Sequence, residues 1–319
     1  MKECVLPLRL QKFEALLRSV EDNHWQRYEI LTEYKKWLQG FRGEESVMFY
    51  LDPISNEDYR IYHDIRLPLG KYYFQIDILL TCPRFILVIE VKNRSKDWHF
   101  AKLLNQVTVE GKRVKNPILQ AKVQSIKLKR WLAEQHFTDI PILYLFVNSN
   151  EKSKIHIDYD HKYSRSVCNS EQLLEKIEQI EHQLKREVLE ERDLRKINRL
   201  LLAKNTPDNT DLLQHFKIPS DERIKGVCCQ NKNTKCNSSQ LRYKSGVWTC
   251  PVCKWKSKTA HHQKIKDYFL LIKPTITNTE ARVLLQIKSR KIIHHMLIDM
   301  NLPYTGKFKG RVYHQPTDQ

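Results

Sequence analysis

Long apolar segments are missing from this sequence of 319 residues. No uncharged apolar run approaches the ~18–20 residues that a transmembrane helix needs, so we expect no membrane span. The opening segment has scattered charges and lacks the apolar block and small-residue cleavage site of a signal peptide, so we expect a cytoplasmic protein. The eight cysteines include isolated ones such as Cys4, Cys82 and Cys168, which argues against a disulfide framework.

Positive charge predominates, and it is concentrated in the C-terminal third. The formal net charge is +18. From Lys204 to the end there are 21 Lys and Arg against 8 Asp and Glu, a net of +13, whereas the preceding part carries only +5. A basic region of this kind favours a polyanionic partner, with nucleic acid as the leading candidate. The alternative is charge that only keeps the protein soluble.

The stretch from Tyr72 to Lys92 predicts two buried β-strands joined by a turn at residues 81–84. Val, Ile, Leu and Phe dominate both strands, and Asp77, Glu90 and Lys92 interrupt them. Because strand side chains alternate, Glu90 and Lys92 share a face, and the hairpin can bring Asp77 beside Glu90. Charged groups in buried strands are costly unless they pair or hold a metal ion. Two carboxylates with few soft donors suit Mg²⁺ or Mn²⁺.

The order of Asp77, Glu90 and Lys92 resembles the catalytic signature of the PD-(D/E)xK nuclease superfamily. Several flanking blocks resemble the nuclease-related domain (NERD) family over roughly residues 40 to 150: Gly40–Glu44, Tyr62–Pro68, Gln75–Asp77, Val88–Asn93, and Asn116-Pro117 followed by Gln120-Ala121. The resemblance implies a metal-dependent DNA endonuclease in which Glu44 is an additional acidic group near the metal and Gln120 borders the active site. From the residues alone, Glu44 would be a carboxylate favoured at a helix N-terminus, and Gln120 a solvent-facing side chain.

Periodicity predicts the elements around this hairpin. Helical spacing covers residues 8–39, and Gly40 and Gly43 are expected to end that helix before a second one over 44–50. Strands are predicted over 61–67 and 142–147. Asn116 caps a helix that runs to about Phe137, with an inward stripe of Ile118, Leu119, Val123, Ile126, Trp131 and Leu132. This order of elements predicts an α/β fold with a mixed β-sheet flanked by helices, and the resemblance implies that the sheet is restriction-endonuclease-like.

Two further segments of this part are polar. His99, in the mixed segment 93–111, is expected to be an ordinary surface or half-buried histidine rather than a catalytic base. Residues 170–203 are predicted to form one long charged helix with a stripe of Leu173, Ile177, Ile180 and Leu184. This stripe would pack against the nuclease domain or against a partner helix, which could be that of a second copy. Residues 204–210 indicate a linker.

Four cysteines have the spacing of a zinc ribbon: Cys229 and Cys236, then Cys250 and Cys253. The second pair has the usual C-x2-C form, whereas the first is wider, and Cys228 could replace Cys229. The zinc ion would be structural, because four sulfur ligands leave no open position for chemistry. The alternative is a set of unligated thiols.

The last segment resembles a winged helix-turn-helix, with helices predicted over 264–272, 279–287 and 289–300. Thr277 or Asn278 would cap the second helix and Ser289 the third. Residues 306–313 form a basic, glycine-flanked hairpin suited to a wing. Ile292, Ile293, Leu297 and Ile298 would pack inward. The expected DNA contacts are Arg290, Lys291 and His294, with His295 as a further candidate, and Lys307, Lys309 and Arg311 in the wing. The alternative is a packing module with a solvated basic face.

These features predict four regions: N-terminal helices plus a nuclease-like domain (1–169), a charged helix and linker (170–210), a zinc ribbon (211–260) and a winged helix (261–319). The predicted function is a metal-dependent endonuclease that uses Mg²⁺ or Mn²⁺ and acts on double-stranded DNA. The alternative is a non-catalytic DNA-binding or regulatory protein that uses the nuclease fold as a scaffold. Cleavage of RNA is a third possibility, although the lack of an aromatic stacking platform mildly disfavours single strands.

Overall fold

The computed structural model describes residues 1–54, 58–102, 106–231, 236 and 240–316, apart from the side chain of Lys309. Two compact units divide the chain: the first comprises residues 1–7 and 35–208, and the second comprises 8–34 and 209–319. The predicted bounds of the four regions stay a prediction. Within the described ranges, no helix combines the length and apolarity needed to cross a membrane.

The helices and strands of the described residues are numbered in chain order. The α-helices are α1 (Leu8–Ser19), α2 (Arg27–Leu51), α3 (Pro117–Glu134), α4 (Leu173–Gln183), α5 (Glu191–Lys204), α6 (Leu212–His215), α7 (Ala260–Leu271), α8 (Asn278–Leu285) and α9 (Arg290–Asp299). The first nine strands are β1 (Arg60–Leu69), β2 (Tyr72–Thr81), β3 (Ile86–Lys92), β4 (Trp98–Phe100), β5 (Val107–Val109), β6 (Lys112–Val114), β7 (Ile142–Asn148), β8 (Ile155–His156) and β9 (Val167–Asn169). The remaining strands are β10 (Arg242–Lys244), β11 (Val247–Thr249), β12 (Lys256–Ser257), β13 (Thr275–Thr277), β14 (Tyr304–Thr305) and β15 (Val312–His314).

A five-stranded mixed sheet organises the first unit, in the order β1-β2-β3-β7-β9. The pairs β1/β2 and β2/β3 are antiparallel, whereas β3/β7 and β7/β9 are parallel. Alternate side chains of the central strands enter two apolar layers, one with Ile78 and Ile89 and the other with Leu79 and Val88. Burial on both faces explains why these strands are almost continuously apolar. The predicted hairpin and the mixed α/β class are confirmed.

The helix α2 corrects the prediction that Gly40 and Gly43 end a helix. It runs without a break from Arg27 to Leu51, so Glu44 lies inside the helix and not in its first turn. A glycine costs a helix only about 1 kcal/mol relative to alanine, and the surrounding residues can outweigh that cost. Gly43 also has a packing role, because a Cβ there would lie 2.5 Å from Asn93 Cβ, just beyond β3.

The helix α3 begins as predicted but packs differently. The Asn116 side chain accepts hydrogen bonds from the N–H groups of Ile118 and Leu119. Val123 and Ile126, which we expected to face inward, are 47% and 46% exposed. The small residues Ala121 and Ser125 are buried in their place, together with Pro117, Ile118, Leu128, Trp131 and Leu132. A helix that packs closely on a sheet places small side chains at the contact, so hydrophobicity alone selects the wrong face.

The predicted long helix over 170–203 is two helices, α4 and α5, separated by residues 184–190. The N–H groups of Val188 and Leu189 both donate to the carbonyl oxygen of Pro83 in the β2–β3 turn, at 2.9 and 3.0 Å. Leu173 and Ile177 of α4 pack in one layer of the sheet, and residues of α5 pack in the other. The stripe is therefore a packing seam within the first unit. A partner protein that binds residues 170–203 would therefore have to contact a different face of these helices.

A smaller four-stranded sheet of the first unit has the order β6-β5-β4-β8. Its strands β4 and β5 lie in the polar segment 93–111. The side chains of Trp98 and Phe100 in β4 enter an apolar cluster with Phe146 of β7. This sheet therefore packs beside the end of the main sheet.

The second unit contains two three-stranded sheets, β10-β11-β12 and β13-β15-β14, with α7, α8 and α9. The Thr277 side chain caps α8 in a capping box with Glu280, and the Ser289 side chain caps α9. Ile298, which we expected to pack inward, is 38% exposed, and Met296 is buried in its place. The helix α1 belongs to this unit and packs against α7, with the Arg18 guanidinium bound to both carboxylate oxygens of Asp267.

Candidate functional site

Three charged side chains meet at the β2–β3 hairpin. Asp77 Oδ2 accepts a hydrogen bond from the Val91 N–H at 2.9 Å. Glu90 is 7% exposed, and its Oε1 accepts a hydrogen bond from Lys92 Nζ. The structure thus brings Asp77, Glu90 and Lys92 together, because Ile78 pairs with Ile89 and the next residues along each strand are Asp77 and Glu90.

The electrostatics of this cluster are dominated by burial. Burial raises the pKa of Glu90 to about 7, and the neighbouring Asp77 carboxylate adds to the shift. Burial also raises the pKa of Asp77, although Lys92 and the Val91 N–H oppose that shift. Burial disfavours the charged form of Lys92, but Asp77 and Glu90 outweigh it and raise the pKa of the amine. The single positive charge of Lys92 therefore does not neutralise the negative charges of both Asp77 and Glu90.

Glu44 of α2 adds a third carboxylate to this neighbourhood. Its pKa is raised well above the ordinary value by burial and by the charges of Asp77 and Asp64. Glu44 Oε2 lies 3.8 Å from Nδ1 of His63, a side chain of β1 that is 1% exposed. Burial lowers the pKa of His63 to about 4, so the ring is neutral near pH 7. Neither ring nitrogen of His63 has a hydrogen-bond partner among the described residues.

Asp64 is a residue of this neighbourhood that we did not single out from the sequence. Burial raises the pKa of its carboxyl group, and Asp77 adds to the shift. Its backbone has φ +48°, in the left-handed region that Asp tolerates better than most residues. The signal was available, because Asp64, like Asp77, is a carboxylate inside a predicted buried strand.

Gln120 lies in the first turn of α3, which packs against β3 and β7. Its side-chain oxygen is buried and has no hydrogen-bond partner in the part of the chain that the structure describes. The oxygen of Gln124, one turn further along, is in the same situation. A buried acceptor without a donor is costly, so this face of α3 is suited to a bound polar group.

The carboxylates have the donor atoms that a hard divalent cation prefers, but their oxygen atoms are too far apart to bind one ion together. Oxygen donors with raised pKa values are what a buried Mg²⁺ or Mn²⁺ site would offer before it binds the ion. However, Glu44, Asp77 and Glu90 do not form a group whose donor atoms all lie within 4.8 Å of one another among the described residues. Lys92 pairs with Glu90. Metal binding would require Lys92 to release Glu90 and the carboxylates to draw together.

The four predicted cysteines do come together. The sulfur atoms of Cys229, Cys236, Cys250 and Cys253 all lie within 4.8 Å of one another, and Cys228 is not part of the group. Adjacent sulfurs are 3.5 Å apart between Cys236 and Cys229 and 3.7 Å apart between Cys229 and Cys253. None is in a disulfide. Four convergent thiols are the donor set of a structural zinc site, so the cluster could hold Zn²⁺.

The predicted basic residues lie along α9 and the hairpin that follows it. Arg290, Lys291, His294 and His295 are exposed on α9, and Lys307 is exposed in the hairpin. His294 Nδ1 is 3.0 Å from the hydroxyl of Tyr313 in β15, so the helix and the hairpin are neighbours. The Arg311 guanidinium stacks over the ring of Tyr304 at 4.1 Å. The side chain of Lys309 lies outside the described residues.

The mixed sheet thus carries buried Glu90, partly buried Asp77 and a lysine on adjacent strands. Residues 39–149, about a third of the chain, match the family model NERD, described as nuclease-related domain. The matched range contains Glu44, Asp77, Glu90, Lys92 and Gln120. Neither the curated proteins nor the solved structures that were compared include a match to this chain. The family match supports a nuclease-related function for this part of the chain.

Proposed function

We propose that this protein is a metal-dependent nuclease that hydrolyses phosphodiester bonds of DNA. The observation that carries the proposal is the set of buried Glu90 and partly buried Asp77 and Lys92 on two paired strands inside the range that matches a nuclease-related domain. A scaffold would not need three ionisable groups in a largely desolvated setting, because such groups cost free energy unless they bind something.

Asp77, Glu90 and Glu44 would hold Mg²⁺ or Mn²⁺. When bound, the ion would polarise the scissile phosphate and lower the pKa of a water molecule. Lys92, released from Glu90, would orient the attacking water or offset the charge that develops on the phosphate, and it could help to deprotonate that water. The unpartnered oxygen of Gln120 would accept a hydrogen bond and help to position the water or the nucleic-acid backbone.

The second unit would supply affinity for DNA. Its order of α7, β13, α8, α9, β14 and β15 supports a winged helix-turn-helix, in which α9 would be the recognition helix and residues 306–313 would be the wing. Arg290, Lys291 and His294 would face the major groove, and Lys307, Lys309 and Arg311 the phosphates. Zn²⁺ on the four cysteines would fix the ribbon. Phosphate contacts predict that binding weakens steeply as salt rises. A cytoplasmic location stays a prediction.

A binding protein without catalysis is the second candidate. It is favoured by one observation: Lys92 pairs with Glu90, and the carboxylates do not form a compact donor group among the described residues. In that case the charged cluster would be a former active site without catalytic activity, and the protein would act by binding DNA through its basic second unit.

Supercoiled plasmid DNA with Mg²⁺ or Mn²⁺ distinguishes the two candidates. The wild-type protein should produce nicked or linear DNA, and the Glu90→Ala/Lys92→Ala double variant should not, while both should shift DNA equally in a gel. Lys291→Ala/Lys307→Ala is the matched control, because it should weaken the shift and leave the metal-dependent chemistry in place. No product from the wild type with either metal would favour the binding protein. Labelled RNA, tested in parallel, decides the substrate class.

A further inference from the structure

Two histidines lie side by side on adjacent strands of the small sheet of the first unit. His99 of β4 pairs directly with His156 of β8 in a parallel register. Their rings are stacked with centroids 4.4 Å apart and planes only 2° from parallel. Both side chains are exposed, whereas their neighbours Trp98 and Phe100 point into the core. The backbone therefore fixes both imidazoles on the outer face of the sheet.

Asp97 supplies a carboxylate next to this pair. Its Oδ1 accepts the Lys154 N–H at 2.8 Å, and its Oδ2 is 3.3 Å from His156 Nε2. One donor atom from each of Asp97, His99 and His156 lies within 4.8 Å of the other two.

An ordinary surface histidine–aspartate pair accounts for only part of this arrangement. Asp97 can satisfy His156, but the imidazole of His99 makes no hydrogen bond to another described residue and contacts the stacked ring of His156. Imidazole nitrogens are common metal ligands, and two of them lie here beside one carboxylate. A cavity of about 510 Å³, lined in part by His99, Thr108 and His156, lies beside the rings and leaves room for further ligands.

We infer that Asp97, His99 and His156 bind one divalent transition-metal ion of the nickel, copper and zinc class. Two imidazole nitrogens and one carboxylate oxygen suit these ions, whereas Mg²⁺ prefers oxygen donors alone. The site differs from the acidic cluster in its donors and from the cysteine cluster in lacking sulfur. With three protein ligands it keeps open positions toward the cavity. It joins β4 to the two-residue strand β8, so the bound ion would also clamp that strand.

Nickel titration by calorimetry tests the inference on the full-length chain. The cysteine cluster is first loaded with one equivalent of Zn²⁺, and excess Mg²⁺ is present to cover the carboxylates. The wild type should bind one equivalent of Ni²⁺. The His99→Ala/His156→Ala variant should bind none, and Asp97→Asn should bind at least about tenfold more weakly. The matched control His294→Ala/His295→Ala removes two exposed histidines from the second unit and should still bind one equivalent.

Circular dichroism and urea unfolding of each variant ensure that a loss of binding is not a loss of fold. If the double histidine variant does not fold, Asp97→Asn decides the question, because an amide preserves the size of the side chain and its bond to the Lys154 N–H. Wild-type protein that binds no Ni²⁺, or variants that bind as tightly as the wild type, would overturn the inference.

Discussion

Gly40 and Gly43, three residues apart in the helix α2, should respond in opposite ways to the same substitution. A Cβ at Gly40 would meet no atom within 4 Å. A Cβ at Gly43 would lie 2.5 Å from Asn93 Cβ and 2.7 Å from Ser149 Oγ. The separation from Asn93 is far inside the ~3.5–4.0 Å at which carbon atoms attract each other. The two sites therefore separate helix propensity from packing.

Gly40→Ala should stabilise the protein by about 1 kcal/mol, because alanine is the better helix former and nothing obstructs its methyl group. Gly43→Ala gains the same propensity term but must displace Asn93, whose Cβ is attached to the backbone and cannot rotate away. Overpacking costs about 1–3 kcal/mol, and a separation of 2.5 Å places this site in the upper part of that range, at about 2–3 kcal/mol. We expect a net destabilisation of about 1–2 kcal/mol for Gly43→Ala, and thus a difference of about 2–3 kcal/mol between the two variants.

The hydrogen bonds of Asn93 explain why the strain is not relieved locally. The Asn93 carbonyl accepts from Gln39 Nε2 at 2.8 Å, and its side-chain oxygen accepts from Asn150 Nδ2 at 2.7 Å. Asn93 also follows Lys92 directly, so a shift of this residue would reach the candidate active site. Ser149 contributes less, because its hydroxyl can rotate.

Urea unfolding followed by circular dichroism measures both free energies of unfolding. The midpoints should move in opposite directions while the dependence on urea concentration stays unchanged. If the proposed function is correct, Gly43→Ala should also lower the rate of DNA cleavage, and Gly40→Ala should not. Equal stabilisation by both alanines would refute the packing argument.

Three further predictions concern other parts of the molecule. Because burial raises the pKa of Glu90 to about 7, its proton stabilises the metal-free fold at low pH and is lost as pH rises from about 4.5 to 7. Between pH 5 and pH 8, the unfolding free energy of the metal-free wild type, measured by urea unfolding, should therefore fall more than that of Glu90→Gln. The difference should be on the order of 2–3 kcal/mol. Parallel pH profiles of the two proteins would contradict this. Ser289→Ala removes the side chain that accepts the Ile292 N–H at the start of α9 and should cost about 1 kcal/mol, measurable by thermal unfolding against Ser289→Asp, which should retain the cap. Cys250→Ser should reduce the zinc content measured by mass spectrometry and lower the melting temperature, whereas Cys228→Ser should leave both unchanged; equal zinc loss from both variants would show that the ligand set is wrong.

The sequence was most informative where one local rule decides the structure. The β2–β3 hairpin follows from two apolar runs and a turn, and strand alternation alone places Glu90 and Lys92 on one face. Asn116 and Ser289 have the side chains that cap helices, and both do so. The cysteine spacing predicted the four sulfurs that converge, although it left Cys228 and Cys229 as alternatives.

The tertiary structure decided the points at which segments distant in the chain meet. Gly43 lies inside α2 and does not end it, and a glycine stands there because the loop after β3 approaches the helix closely. Ala121 and Ser125 face the sheet ahead of the larger Val123 and Ile126, since close packing selects small side chains. The contact of Val188 and Leu189 with Pro83 divides the predicted long helix. His156 joins His99 only because β4 and β8, which are distant in the chain, lie side by side. Local propensity and spacing follow from neighbours along the chain, whereas these contacts depend on how the sheets and helices pack.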